Sequence, residues 1–203
     1  MPHLLTKSVT AFKYDELSES AKEKALEKMS DINTEDSFWH ECTIEDAKTI
    51  GAILGIDITN IYFSGFSSQG DGACFEGNYK YKKESVKKIK EYAPKDETLH
   101  QIAKDLYLTQ KKHSYDIGAT IKHSGHYYHK YCTEINVYLR DDQWKRMQKD
   151  TDEGIKEALR DFMEWIYRTL EKEYDFQNSR EQIEETIRAN DYNFTEEGNF
   201  PAL

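Results

Sequence analysis

The chain is poor in the residues that stiffen, staple or anchor a protein. Three prolines in 203 residues leave no proline-rich linker between domains. The three cysteines, Cys42, Cys74 and Cys132, are odd in number and far apart, which argues against a disulfide framework and fits a reducing cytosol. No apolar run approaches the roughly 18 residues that a membrane span requires. Met1 to Phe12 lacks the charged-then-apolar order of a secretory leader. The expected location is therefore the cytoplasm, with no membrane partner. Basic residues are also scarce: 28 Lys and Arg against 38 Asp and Glu give a net charge of −10, which disfavours direct binding to nucleic acid. Aromatics, by contrast, are plentiful. The 14 Tyr, 9 Phe and 3 Trp exclude a disordered acidic chain and promise a real core.

The charge is polarised along the chain. Residues 141–203 hold 17 acidic and 9 basic residues, whereas Lys80 to Lys112 holds ten lysines against five acids. Such segments read either as solvated helix faces or as surfaces that steer association with a charged partner.

Periodicity predicts an α+β fold, an antiparallel sheet built from hairpins and packed against several α-helices, in one domain, 1–203, whose acidic helical part begins near 141. Ser8 to Tyr14 reads as a strand, and Leu17, Ala21, Ala25 and Met29 as a helix face, with Asp15 and Ser18 able to cap the helix and Ser20 and Glu23 at capping-box spacing. Asp36 to Leu54 is a helix stopped by Gly55. Ile56–Phe66 and Ala73–Tyr81 form a hairpin, as do Ser114–Lys122 and Tyr131–Leu139. Between the hairpins lie helices Glu84–Tyr92 and Asp96–Lys111. Asp152–Lys172 and Ser179–Ala189 complete the helices, and the tail carries little pattern.

The familiar enzyme signatures fail on spacing. The glycines at 70, 72 and 77 miss the dinucleotide fingerprint, and no glycine loop ends in Lys-Ser or Lys-Thr. His40-Glu41 lacks the second His of a zinc-protease helix, since position 44 is Ile.

Two constellations carry chemistry. The first is Gln69-Gly70-Asp71-Gly72-Ala73-Cys74-Phe75-Glu76-Gly77. Its glycines permit a backbone whose N–H groups cradle an anion or a partner's carboxylate, with Asp71 and Glu76 adding oxygen ligands or acid–base capacity. It equally fits a tight hairpin whose Asp caps its own turn. The second is His123-Ser124-Gly125-His126-Tyr127-Tyr128-His129-Lys130-Tyr131-Cys132. His123, His126, His129 and Cys132 are zinc-competent, but on a strand they alternate between faces, so no metal is assigned. A Tyr- and His-rich contact surface or a half-buried hairpin suits them as well.

Phe12-Lys13-Tyr14-Asp15-Glu16-Leu17-Ser18, followed by Ala21-Lys22-Glu23-Lys24-Ala25, resembles the opening of a family of small phage and prophage proteins. Its members carry the label antitoxin of a toxin–antitoxin stability system. The resemblance continues through Asp46-Ala47-Lys48, Ile61 to Phe66, the glycine-rich motif, His123 to His129, Asp161-Phe162-Met163 and Ile187 to Asn190. It implies a phage-associated cytoplasmic protein and supplies no catalytic residue.

The leading expectation is a stoichiometric binding protein that neutralises a bacterial toxin or a host defence system, as an antitoxin, anti-restriction or anti-CRISPR-like inhibitor. Gln69, Asp71, Glu76, His123, His126, Tyr127, Tyr128 and His129 are its candidate contact residues. Asp161, Glu164, Glu171, Glu173, Glu181, Glu184 and Glu185 form a candidate acidic surface that mimics nucleic acid. The alternative is a nucleotide- or metal-binding enzyme, or a signal-nucleotide sink, using the His/Tyr segment and glycine loop with Lys80 to Lys90 meeting phosphates. No cofactor is expected, and the target and oligomeric state stay open.

Overall fold

The computed structural model describes residues 10–139 and 149–201. The chain start on which the leader reading rests, and 140–148 within or beside the acidic segment, lie outside the described residues. The elements run β1 (Phe12–Lys13), α1 (Glu19–Lys28), α2 (Glu41–Leu54), β2 (Ile56–Phe63), β3 (Ala73–Lys80), α3 (Ser85–Tyr92), α4 (Glu97–Lys112), β4 (Ile117–His123), β5 (Thr133–Leu139), α5 (Lys149–Gln177), α6 (Arg180–Ala189) and β6 (Asn193–Phe194). The fold is α+β. No helix among the described residues is long and apolar enough to cross a membrane.

The chain divides into two compact units, 41–171 and a smaller one made of 1–40 with 172–203. The acidic stretch 141–203 is therefore shared between them.

The larger unit is organised by a four-stranded antiparallel sheet in the order β2-β3-β4-β5. Ile155, Leu159, Phe162, Met163, Ile166 and Leu170 recur at the spacing of one helix face, and all six are fully buried along α5. Each is worth roughly 1.5–3 kcal/mol relative to exposure. Phe162 meets Phe75 of β3 edge-on at 5.8 Å, which places α5 on the face carrying Phe75, Tyr79, Ala119 and Ile121. Asp96 caps α4 by accepting from Leu99 N at 2.9 Å, and its other oxygen accepts from Trp165 Nε1 at 2.7 Å. Gln110, fully buried, accepts from Ile117 N at 3.1 Å and donates to Ile117 O at 2.7 Å and Tyr79 Oη at 3.2 Å. A buried amide thus satisfies the open end of β4. The opposite sheet face is polar: Asp57, Asn78, Thr120 and Asn136 lie side by side across the four strands.

The smaller unit packs Tyr14, Leu17, Ala21, Ala25, Leu26, Met29, Ile183, Ile187 and Phe194 into one core. Its two-stranded sheet pairs Phe12 with Phe194 and Lys13 with Asn193, so the tail that showed little pattern holds a strand.

Local chemistry moves several expected boundaries. Ser18 caps α1 as expected, its Oγ accepting from Ala21 N at 3.3 Å, whereas the Ser20–Glu23 box does not form and Glu23 pairs with Arg180. The helix expected from Asp36 begins at Glu41, because Asp36 Oδ1 accepts from Phe38 N at 2.9 Å and holds a local turn. The strand expected from Ser114 begins at Ile117, because Ser114 and Tyr115 have φ of 56° and 63°, which strand pairing forbids. The first strand ends at Lys13, and Tyr14–Glu16 turns as a short 3-10 helix.

Candidate functional site

The glycine loop joins β2 to β3, and its expected contact residue Asp71 is engaged locally. Asp71 Oδ2 accepts from Ser68 N at 2.7 Å and Ser67 N at 3.1 Å. It is an Asx-type cap on its own turn. Gly70 has φ of 98°, and a Cβ there would lie 3.4 Å from the Tyr127 ring. At Gly72 a Cβ would stand 2.6 Å from His129 Cα, so only glycine admits this approach. Loop and His/Tyr segment, separate in sequence, are one surface. Gln69 sits exposed at its edge.

Residues 124–132, linking β4 to β5, fold over this end of the polar sheet face. Tyr128 stacks on Tyr62 of β2 at 5.5 Å and 13°, and the His123 ring lies 5.3 Å from each. His123 Nε2 meets the Tyr127 carbonyl at 3.0 Å, a bond it makes as donor. His129 Nδ1 accepts from Tyr131 N at 3.2 Å, and its Nε2 lies 3.4 Å from Cys132 Sγ. His126 is exposed beside the Tyr127 ring at 5.3 Å. The histidines brace the connection through these separate contacts, and among the described residues no group of three or more His, Cys, Asp or Glu is placed to hold a metal ion.

Glu76 is the hub beneath. Its Oε1 accepts from His123 N at 3.1 Å, and its Oε2 from Tyr62 Oη at 2.9 Å and Asn60 Nδ2 at 3.3 Å. The His123 backbone bond, then Asn60 and Tyr62, hold its carboxyl below the ordinary range. The same bond to Glu76, with burial, pushes the Tyr62 phenol up. Burial pushes the Cys74 thiol up to about 12, which makes it a packed, inert residue.

What remains open to solvent is aromatic. Tyr127 is 57 % exposed and Tyr131 67 %. The Arg160 guanidinium lies 5.3 Å and Lys130 Nζ 5.7 Å from the Tyr131 ring centre.

Sequence reasoning passed over Tyr62, Asn60, Tyr131, Lys130 and Arg160 as contact or hub residues. For Tyr62 and Asn60 the reason is a bulge in β2 between Ile58 and Asn60. Strict alternation sets Ile56, Ile58, Asn60 and Tyr62 on one face; the extra residue turns Asn60 and Tyr62 towards Glu76.

The acidic candidates are mostly engaged, and they belong to different units. In the larger unit Arg168 bridges Glu164 at 2.9 Å and Glu171 at 2.8 Å, and Lys130 reaches Glu164 at 3.5 Å. Asp161 is held above its ordinary value by burial. In the smaller unit Glu184 takes Arg180 at 2.9 Å, Arg188 at 3.1 Å and Tyr14 Oη at 3.1 Å. Glu173 accepts from Gln177 and Glu185 from Gln182, and Glu181 is exposed.

A family model described as a domain of unknown function (DUF8835) matches residues 39–180, more than two-thirds of the chain. The chain belongs to this family. The DUF8835 span takes in the whole larger unit, with its glycine loop, Glu76 hub and His/Tyr connection. It leaves out α1, β1, β6 and nearly all of α6. No curated protein and no solved structure matches the chain.

Proposed function

We propose that the chain is a stoichiometric protein-binding module whose contact surface is the glycine loop together with residues 123–132. One observation carries the reading: Gly70 and Gly72 let the loop seat against Tyr127 and His129, while the carboxylates of this surface are already occupied. Asp71 is spent on its own turn and Glu76 on three donors, so little acid–base capacity is left. A braced patch displaying Tyr127, and Tyr131 beside Arg160 and Lys130, has the composition of a recognition hot spot. The family resemblance of these same segments supports a phage-borne protein whose partner is a bacterial toxin or defence protein, neutralised by occlusion. The arginine pairing of Glu164, Glu171 and Glu184 weighs against nucleic-acid mimicry as the mode of binding.

The test is affinity capture from a bacterial host lysate with mass spectrometry, beside a Tyr127→Ala/Tyr131→Ala variant, whose exposed rings contribute little to the core. A single enriched protein, lost with the variant and binding one-to-one by calorimetry, is the expected result. Equal capture by the variant would remove this surface from the reading. A nucleotide that raises the melting temperature while no protein is captured would replace binding with the nucleotide-handling alternative.

A further inference from the structure

A second surface of the larger unit shares no residue with the first. Helices α3 and α4, joined by the short link Ala93–Asp96, enclose an open groove of about 700 Å³. Its walls come from Val86, Lys87 and Lys90 on α3 and Lys104, Tyr107 and Leu108 on α4, with Glu84 and Glu91 at the edge. Residues 87, 90 and 91 on one helix and 104, 107 and 108 on the other each follow the i, i+3, i+4 spacing of a single helical face. Leu108 is 43 % exposed there. A pair of helices presenting such faces leaves the seat that a third helix fills by ridge-into-groove packing.

The charge around the groove selects the occupant. It lies in the one lysine-rich stretch of a chain whose net charge is −10. Lys87 reaches Glu91 loosely, at 3.7 Å with both side chains exposed, and among the described residues no carboxylate lies within ion-pair distance of Lys90 or Lys104. The nearby rings do not form a stacking platform for bases. Tyr115 packs on Tyr81 at 4.5 Å and on Tyr107 at 6.1 Å, so these rings are engaged with one another. The groove therefore offers apolar contact on Val86, Tyr107 and Leu108, with three lysines against two glutamates around it.

We infer that this groove is a docking site for an acidic amphipathic helix of a partner protein. Apolar side chains of that helix seat on Val86 and Leu108, and its flanking carboxylates meet Lys90 and Lys104. The site is independent of the Tyr127 surface, so either can fail without the other.

The experiment measures anisotropy of a labelled helical peptide of about 18 residues, with Leu at i, i+3, i+4 and i+7 and Glu and Ala elsewhere, titrated with the full chain. Micromolar binding that weakens about tenfold in Leu108→Asp and in Lys90→Glu/Lys104→Glu is expected. The same peptide with Lys in place of Glu should bind at least about tenfold more weakly. Leu108 and both lysines are solvent-facing, and Lys90→Gln/Lys104→Gln, with circular dichroism, guards against a folding artefact. Equal binding of the two peptides, no binding of the Glu peptide, or unchanged binding by Leu108→Asp would overturn the inference. So would a single-stranded oligothymidylate that binds in the peptide's place and is weakened by Lys90→Glu/Lys104→Glu but not by Leu108→Asp.

Discussion

Glu76 in the larger unit and Glu184 in the smaller are both held below the ordinary carboxylate range, by opposite means. Glu76 is surrounded by uncharged donors, a backbone N–H, an amide and a phenol. At Glu184 burial works against the charge, and Arg188, Tyr14 and Arg180 outweigh it. The first arrangement fixes direction: each donor occupies a defined lone pair, so the carboxylate sets where β2, β3 and the start of the 124–132 connection stand. The second supplies charge balance along α6, from Arg180 and Arg188 one turn either side, and tolerates angular error. A surface that must be presented in one conformation is better served by the first, a helical staple by the second.

The largest effect that would break this contrast is expected at Gly72. An added methyl meets His129 backbone at 2.6 Å, and backbone cannot swing aside as a side chain tip can. Gly72→Ala should cost about 2–4 kcal/mol in denaturant unfolding. It should also abolish partner binding, by lifting residues 124–132 off the loop. A fully stable Gly72→Ala would mean that the two segments are not held together.

Salt separates the two carboxylates. Glu184→Gln should lose about 1–2 kcal/mol at low ionic strength, and most of that difference should disappear near 1 M NaCl, where ion pairs are screened. Glu76→Gln should destabilise by an amount that salt leaves nearly unchanged, because no opposing charge is lost. Both groups contribute stability that is present above their unfolded pKa and lost as pH falls through the folded value, so each variant should flatten the acid limb of the melting curve. Tyr62→Phe sharpens the point: removing its phenol should let the Glu76 carboxyl move back up, read by carbon-detected NMR titration.

Tyr14 sets an alkaline limit on the smaller unit. Burial, then the bond to Glu184, pushes its phenol up to about 12. A raised phenol pKa gives stability that is complete below the unfolded value and lost as pH rises through the folded one. Thermal melts should therefore fall between about pH 10 and 12, and Tyr14→Phe should remove the share of that fall that Tyr14 contributes.

Helices were legible where one face repeats, as at Ile155 to Leu170, and where a cap stands before it, as at Asp96. The misplaced starts at Asp36 and Ser114 share a cause: local side-chain bonding or a left-handed backbone overrode a pattern that looked continuous. The two candidate motifs were visible as residues, since glycines and a His/Tyr run are conspicuous. Their meeting was not, because it depends on β3 and β4 pairing across two intervening helices and on a one-residue bulge that turns Tyr62. The acidic surface misled for a related reason. Counting carboxylates cannot reveal that Arg168, Arg180 and Arg188 have already claimed three of them.

The smallest expected effect bears on those acids most directly. Glu181 and Glu185 are exposed, and Glu185 accepts from Gln182, one helical turn away. Reversal of both to Lys should change stability by no more than about 0.5 kcal/mol. If binding runs through Tyr127 and Tyr131, reversal should also leave affinity for a captured partner unchanged, with at most a shift in association rate that added salt removes. If instead the partner reads these carboxylates as phosphates, affinity should fall about tenfold or more, and its salt dependence should weaken with it. The pair therefore separates recognition by shape from recognition by charge, without disturbing either core.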